Sequence, residues 1–358
     1  MEMERRQLIK AAGGVGLAAM ASRAVGQAPA AKPKVIDMHT HNFTTRWVEM
    51  LKKHPDANTK IIPTQPHDVI DYRGAPIVRL SPEMTDFDMR IKAMDEAGVD
   101  VAIVSLTCPN VFWSSREVSV ETARIVNDDF AAAEKKYPGR IKWMASLPWE
   151  HPDDAIAELE RARKNGAVGI CQLTNVLGMP LDHEKFHPVW KAIEDSGLPC
   201  FIHPVTPFVD IKAWGVEDFG LSNTIGFTSD TSLAFARLIL TGFMDKFPKL
   251  ELIACHGGGT LPYLIARFDK MWSSTRSKRY VNNPPSTYLR RFWYDAIVYD
   301  EKTLDFLISQ VGADRVMYGS DYPFLIQDMP GVLQRVSHRS TSERDMILNG
   351  NATRLFKL

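Results

Sequence analysis

The sequence predicts an α/β fold, a distorted (β/α)8 barrel with long loops after strands 1 and 5. Three observations carry that prediction. Past a short preamble, eight short β-rich runs alternate with longer helical patterns over roughly 320 residues, the element count and length of such a barrel. Glycine recurs where a helical pattern gives way to the next strand, at Gly98, Gly166, Gly197 and Gly312, as expected of residues that end helices. The main rival, a doubly wound open sheet, favours an early Gly-x-Gly-x-x-Gly after a strand. Gly257-Gly258-Gly259 follows a strand but lacks that spacing.

The expected strands lie at 35–38, 101–105, 141–146, 168–173, 200–203, 250–254, 292–295 and 316–318. The helical patterns lie at 87–97, 120–136, 153–165, 185–195, 231–241, 261–268 and 304–310, with a closing helix at 343–348. Residues 35–358 therefore read as a single barrel domain. Residues 42–84 and 207–229 are longer than connections need to be, and loops of that length are usually functional.

Composition narrows the function classes. The 358 residues are 45% hydrophobic, 24% charged and 9% aromatic, which excludes disordered, collagen-like and coiled-coil chains. Four cysteines exclude a disulfide-rich miniprotein; without Cys-x-x-Cys spacing and set in apolar runs, they read as buried free thiols. Lys+Arg and Asp+Glu both number 43, so nothing recommends nucleic acid or an anionic membrane as partner.

The first 28 residues do not read as the start of a fold. Arg5-Arg6-Gln7-Leu8-Ile9-Lys10 precedes a weakly apolar run from Ala11 to Met20, shorter than the ~20 residues of a membrane span. Ala24-Val25-Gly26 then offers a small-x-small cleavage site, with Gly26-Gln27-Ala28 or Ala28-Pro29-Ala30 as alternatives. The expectation is a signal peptide of twin-arginine (Tat) type at 1–28, a linker at 29–34, and export to a bacterial periplasm. The plainer alternative is an ordinary basic amphipathic N-terminus.

The chemistry lies at the strand ends. Along the first strand, side chains alternate, so His39 and His41 share a face. With Val35 inward, that face is the barrel interior, and Asp37 shares it. His203 closes the fifth strand, His256 the sixth, and Asp321 follows the eighth, each beside Gly or Pro. Barrel active sites sit at this end, and such a set of imidazoles with a carboxylate suits a divalent metal. His54, His67, His151, His183, His187 and His338 lack this placement and read as surface or loop residues.

The pattern resembles the amidohydrolase superfamily, and within it amidohydrolase family 2, the branch containing aminocarboxymuconate-semialdehyde decarboxylase. The likeness rests on Ile36-Asp37-Met38-His39-Thr40-His41, Asn127-Asp128, Phe201-Ile202-His203-Pro204, Phe247-Pro248-Lys249-Leu250, His256-Gly257-Gly258-Gly259-Thr260-Leu261-Pro262-Tyr263, Tyr318-Gly319-Ser320-Asp321-Tyr322-Pro323 and Asn351-Ala352. It implies that His39, His41, His203 and Asp321 ligate one divalent ion, zinc first among the choices. His256 would be the acid/base beside the metal-bound water, with Asp321 sharing in catalysis. The end of strand four carries no lysine, where dinuclear relatives have one, so one metal is expected rather than two.

Arg267, eleven residues after His256, matches an arginine that in this branch reaches the substrate carboxylate from a neighbouring subunit, which implies a homodimer. A solvated helix arginine is the alternative. Trp47, Trp113 and Trp214 either wall the pocket or are simply packed. The first functional expectation is a metal-dependent hydrolase that opens a lactone, amide or ester bond of a small carboxylated or cyclic organic acid. The alternative is a non-oxidative decarboxylase; a third, of another class, is a periplasmic barrel that binds metal or ligand without turnover. No stable membrane insertion is expected.

Overall fold

In the computed structural model, which describes residues 34–205, 220–274 and 281–358, eight parallel strands pair in chain order. They are β1 (Ile36–His41), β2 (Val101–Ser105), β3 (Ile141–Ala145), β4 (Gly169–Leu173), β5 (Cys200–His203), β6 (Leu252–Ala254), β7 (Phe292–Asp295) and β8 (Val316–Met317). The last meets the first: Met38 N donates to Tyr318 O at 3.1 Å and His41 N to Tyr322 O at 2.8 Å, beside a parallel bridge between Thr40 and Tyr322. This nearly closed barrel bears out the expected fold class. The proposed leader, Trp214 and most of the 207–229 loop lie outside the described residues.

Parallel neighbours need crossover connections, and helices supply them at Phe87–Ala97, Arg116–Lys136, Pro152–Lys164, His187–Ser196, Phe227–Leu240, Leu261–Trp272 and Glu301–Val311. The first shows why the sequence signals work. The Asp86 carboxylate accepts from the N–H groups of Asp88 and Met89, and Gly98 ends the helix in left-handed backbone at φ 76°. Asn127 is structural: buried on its helix, it donates to Ser146 O and Glu158 and accepts from Ser146 N, pinning the end of β3.

Two layers of core lie on either side of the barrel wall. Val35, Ala102, Val104 and Trp143 pack outward under the helices. Ile36, Met38, Val101, Ile103, Met144, Phe201, Ile253 and Met317 fill the interior. Ala352, Leu355 and Phe356, from the final helix Asn351–Phe356, join that inner cluster as its floor. That helix lies eight residues beyond the start of the expected closing helix.

The interior assignment corrects the expectation for β1. Val35 points outward, and so does Asp37. The β1–β2 register pairs Asp37 with Ala102 and Thr40 with Val104, three steps against two. This bulge inserts one extra residue, so Thr40 shares the outward face of Asp37 while His39 and His41 both turn inward. Two-residue alternation alone, started from Ile36 inward, would have sent both histidines out of the barrel.

The 42–84 connection is not a loop but a small subdomain. It holds a helix, Thr45–Lys53, and a three-stranded antiparallel meander of Thr59–Ile62, Val69–Tyr72 and Ala75–Arg79. Its strands are rich in β-branched residues, and Arg73 and Gly74, at φ 55° and 84°, form the two-residue turn that such hairpins favour. Trp47 and Trp113 are buried against each other, ring centroids 5.4 Å apart, so these two tryptophans pack the subdomain onto the barrel. All four cysteines are free and buried, as expected. No helix among the described residues is long and apolar enough to cross a membrane.

If Phe356 is the barrel floor, Phe356→Ala opens a cavity and costs about 3–5 kcal/mol. Urea unfolding should show the midpoint falling. An unchanged midpoint would remove Phe356 from the core.

Candidate metal centre

Four side chains from three barrel seams converge at the C-terminal ends of the strands. His39 and His41 come from β1, His203 from the end of β5, and Asp321 from the turn after β8. One donor atom from each lies within 4.8 Å of all the others, and all four residues are buried. His39 Nε2 and His41 Nε2 are 3.0 Å apart, and each is 3.4 Å from Asp321 Oδ1. That oxygen is buried with no hydrogen-bond partner.

The outer nitrogens explain the convergence. His39 Nδ1 donates to Asp295 Oδ2 at 2.7 Å, and His203 Nδ1 donates to Pro204 O at 2.8 Å. A carboxylate and a carbonyl only accept, so both rings carry their proton on Nδ1 and turn an Nε2 lone pair inward. His41 Nδ1 lies 3.1 Å from Ser105 Oγ, and His203 Nδ1 also lies 3.0 Å from Thr107 Oγ1.

Electrostatics point the same way. Burial, then the neighbouring imidazoles, hold His203 well below the usual imidazole range, and burial brings His41 down to about 4. Burial opposes ionisation of Asp321, but the neighbouring His256, His39 and His41 imidazoles hold its carboxyl well below the ordinary range. His39 alone is pushed up, to about 9: burial works against it, and the Asp295 and Asp321 carboxylates overcome that. The cluster thus demands one positive charge at its centre. Three imidazoles and a carboxylate fit a divalent ion there.

His256 borders this centre without joining it. Its Nε2 is 3.8 Å from Asp321 Oδ2 and it lines the pocket. Burial lowers its proton affinity, but the neighbouring Asp321 carboxylate more than offsets this and raises it. His256 and Asp321 both sit in left-handed backbone, at φ 52° and 61°, a conformation that must be held by surrounding structure. For His256 that support is Asp295, which accepts from His256 N at 2.8 Å and Gly257 N at 3.0 Å. The following Gly258, at φ 78°, lies where an added Cβ would come 2.7 Å from the Tyr294 ring.

Above the centre opens a cavity of about 150 Å³. Thr107, Cys108, His203, His256 and Asp321 form its base. Its walls are Ile77, Val78, Arg79 and Met84 from the inserted subdomain, Asn223 and Phe227, and the Phe324-Leu325-Ile326 loop. Neither Trp47 nor Trp113 lines it, which answers the sequence question about them: they are packed. Arg267 is exposed on the Leu261–Trp272 helix and does not line the pocket of its own chain.

Sequence reasoning misses two residues, Asp295 and Arg79, and puts a third, Asp37, on the wrong face. Asp295 was placed at the end of a strand but given no role; an acidic residue closing a barrel strand was the available signal. Asp37 was noted, but it faces outward and binds Ser320 instead, accepting from Ser320 Oγ at 2.5 Å and Ser320 N at 3.1 Å. Arg79 reaches the pocket through the meander, and no pattern within its own stretch marks it.

The amidohydrolase family model, Amidohydro_2, matches residues 36–358. The chain belongs to this family. Among curated relatives, a 2-amino-3-carboxymuconate-6-semialdehyde decarboxylase of Dictyostelium discoideum is 28% identical over 335 residues, covering 88% of this chain and 90% of the relative. A gamma-resorcylate decarboxylase of Polaromonas sp. is 32% identical over 284 residues, covering 76% and 87%. A solved dihydroxybenzoic acid decarboxylase from Polaromonas sp., with bound manganese and 2-nitroresorcinol as inhibitor, superimposes with TM-score 0.74 at 27% identity, covering 91% of this chain and 98% of that one. This amidohydrolase is accordingly a metal-dependent enzyme of the hydrolase or carboxy-lyase kind, with a divalent ion at the His39/His41/His203/Asp321 centre.

The Asp295 contacts yield a prediction. Asp295→Asn should lower divalent-metal affinity about 10–100-fold, because the amide no longer fixes the Nδ1–H tautomer of His39. The His39→Ala/His41→Ala double variant should retain little metal. Metal content after dialysis against a chelator ladder reads both, and wild-type retention by the double variant would displace the centre.

Proposed function

We propose that this enzyme is a non-oxidative decarboxylase of a small, flat, oxygen-bearing carboxylic acid, aromatic in character. The observation that carries the proposal is the pocket itself: a metal-ligand set and a protonatable imidazole at the base, apolar walls, and, among the described residues, an unpaired cation at the rim. The relatives favour this carboxy-lyase reading over the hydrolase first expected from the sequence.

The cavity matches the size of a substituted benzoate. Phe227, Phe324, Val78 and Met84 offer apolar surfaces for a ring. Arg79 lies at the rim, exposed, with no ion-pair partner among the described residues. Its guanidinium suits bidentate capture of a carboxylate. When bound, the divalent ion would supply Lewis-acid polarisation of substrate oxygens. His256 gives its proton to the carbon that bears the carboxyl group; the C–C bond then breaks and carbon dioxide leaves, so hydrogen replaces carboxylate with no water consumed. Apolar walls keep bulk water from that carbon.

Zinc, the ion the family likeness puts first, and manganese, the ion of the Polaromonas relative, both accept such donors. Arg267 would serve a partner subunit's pocket if the enzyme forms a homodimer. Export through the twin-arginine route remains part of the proposal, resting on Arg5-Arg6 and the run that follows.

Purified enzyme loaded separately with zinc and manganese should release carbon dioxide from a panel of hydroxybenzoates and related acids, with no oxygen-18 entering the product from labelled water. Label in the product would return the hydrolase reading. His256→Asn should lower kcat about 10²–10⁴-fold. Arg79→Met should act mainly on KM. If Arg79→Met leaves KM unchanged, the rim cation does not hold the substrate.

A further inference from the structure

Arg90 is the least expected side chain near the metal centre. It projects from the Phe87–Ala97 helix into the barrel wall and is fully buried. No carboxylate among the described residues is shown within ion-pair distance of it, and the Asp37 carboxylate acts on it through its charge alone. A buried cation without an ion-pair partner is costly unless its donors are well used.

Two of its nitrogens, Nη1 and Nη2, are used on the seam between β1 and β8, while Nε is buried without a partner. Nη1 donates to Thr40 Oγ1 at 2.5 Å, and Nη2 donates to the His41 carbonyl. The guanidinium stacks 4.8 Å from the centre of the Tyr322 ring. Thr40 Oγ1 in turn donates to Tyr322 O at 3.1 Å. Arg90 therefore grips both sides of the seam at once.

That seam is where the barrel is weakest. β8 is two residues long, and beyond it the two strands meet through the isolated Thr40–Tyr322 bridge and a few backbone hydrogen bonds. It is also where the metal centre is divided. His39 and His41 stand on one side and Asp321 on the other, and His41 and Asp321 are each next to a residue that Arg90 holds.

We propose that Arg90 is a positioning residue that sets the width of the β1–β8 seam and thereby the spacing of His39 and His41 from Asp321. Its planar fork suits the task, since two donors at a fixed separation bind the Thr40 hydroxyl and the His41 carbonyl together while the flat face lies on Tyr322. Lysine offers a point charge with no such fork. The inference rests on the metal reading above.

The test measures manganese affinity of the stripped full-length enzyme by competition with a fluorescent chelator, alongside thermal unfolding. Arg90→Lys and Arg90→Met should both bind manganese about 10–100-fold more weakly than wild type while still folding cooperatively. Thr40→Val, which keeps the buried cation but removes the hydroxyl linking it to Tyr322, should weaken binding in the same direction. Folded Arg90 variants with wild-type affinity would overturn the proposal and leave Arg90 a role in packing alone. Should neither Arg90 variant fold, Thr40→Val decides: wild-type affinity overturns the proposal, and a loss of tenfold or more supports it. A wild-type enzyme that binds no divalent ion would instead overturn the metal reading on which this rests.

Discussion

The structure is organised around one electrostatic demand: three buried imidazoles and a buried carboxylate facing one point. Left without a positive charge, such an arrangement is repulsive and poorly solvated. Its cost is met by directing every outer polar atom away from that point. Asp295 and Pro204 fix the tautomers of His39 and His203, and Asp321 Oδ1 is left free of hydrogen bonds. The same Asp295 carboxylate receives the backbone of His256 and Gly257. One residue thus orients the His39 ring and holds His256 in its left-handed turn.

The barrel supplies the rigidity this demands, and it does so by departing from ideal geometry at the strand ends. The bulge in β1 turns both histidines inward. The turn after β8 holds Asp321 in left-handed backbone and is tied down by Asp37 through Ser320. Gly319 permits this closeness, since an added Cβ would lie 2.7 Å from the Cβ of His39. The apolar interior and the floor made by the final helix keep water from beneath the centre, which strengthens every interaction above it.

The walls of the pocket come from a different part of the chain. The barrel contributes the chemistry at the base of the pocket, while the subdomain inserted after β1 supplies one wall and Arg79. Such division is usual in barrels, where loops vary over a constant framework. Family membership therefore says more about the metal centre than about the substrate.

Much of this was legible in the sequence. Eight strands, the order of the helices, and the placement of His39, His41, His203, His256 and Asp321 at strand ends could be read from periodicity and punctuation, because local backbone preferences and side-chain alternation are short-range effects. The reading failed where a result depends on register between strands or on packing of segments far apart in the chain. The bulge that turns His39 and His41 to the face opposite Asp37, the burial of Trp47 against Trp113, and the arrival of Arg79 at the rim are of that kind. So is the seam held by Arg90, fifty residues from Thr40. By itself, then, the sequence determined which groups could bind a metal and move a proton. Only the tertiary structure decided which way each one points and what holds it there, because those depend on partners that sequence order does not place side by side.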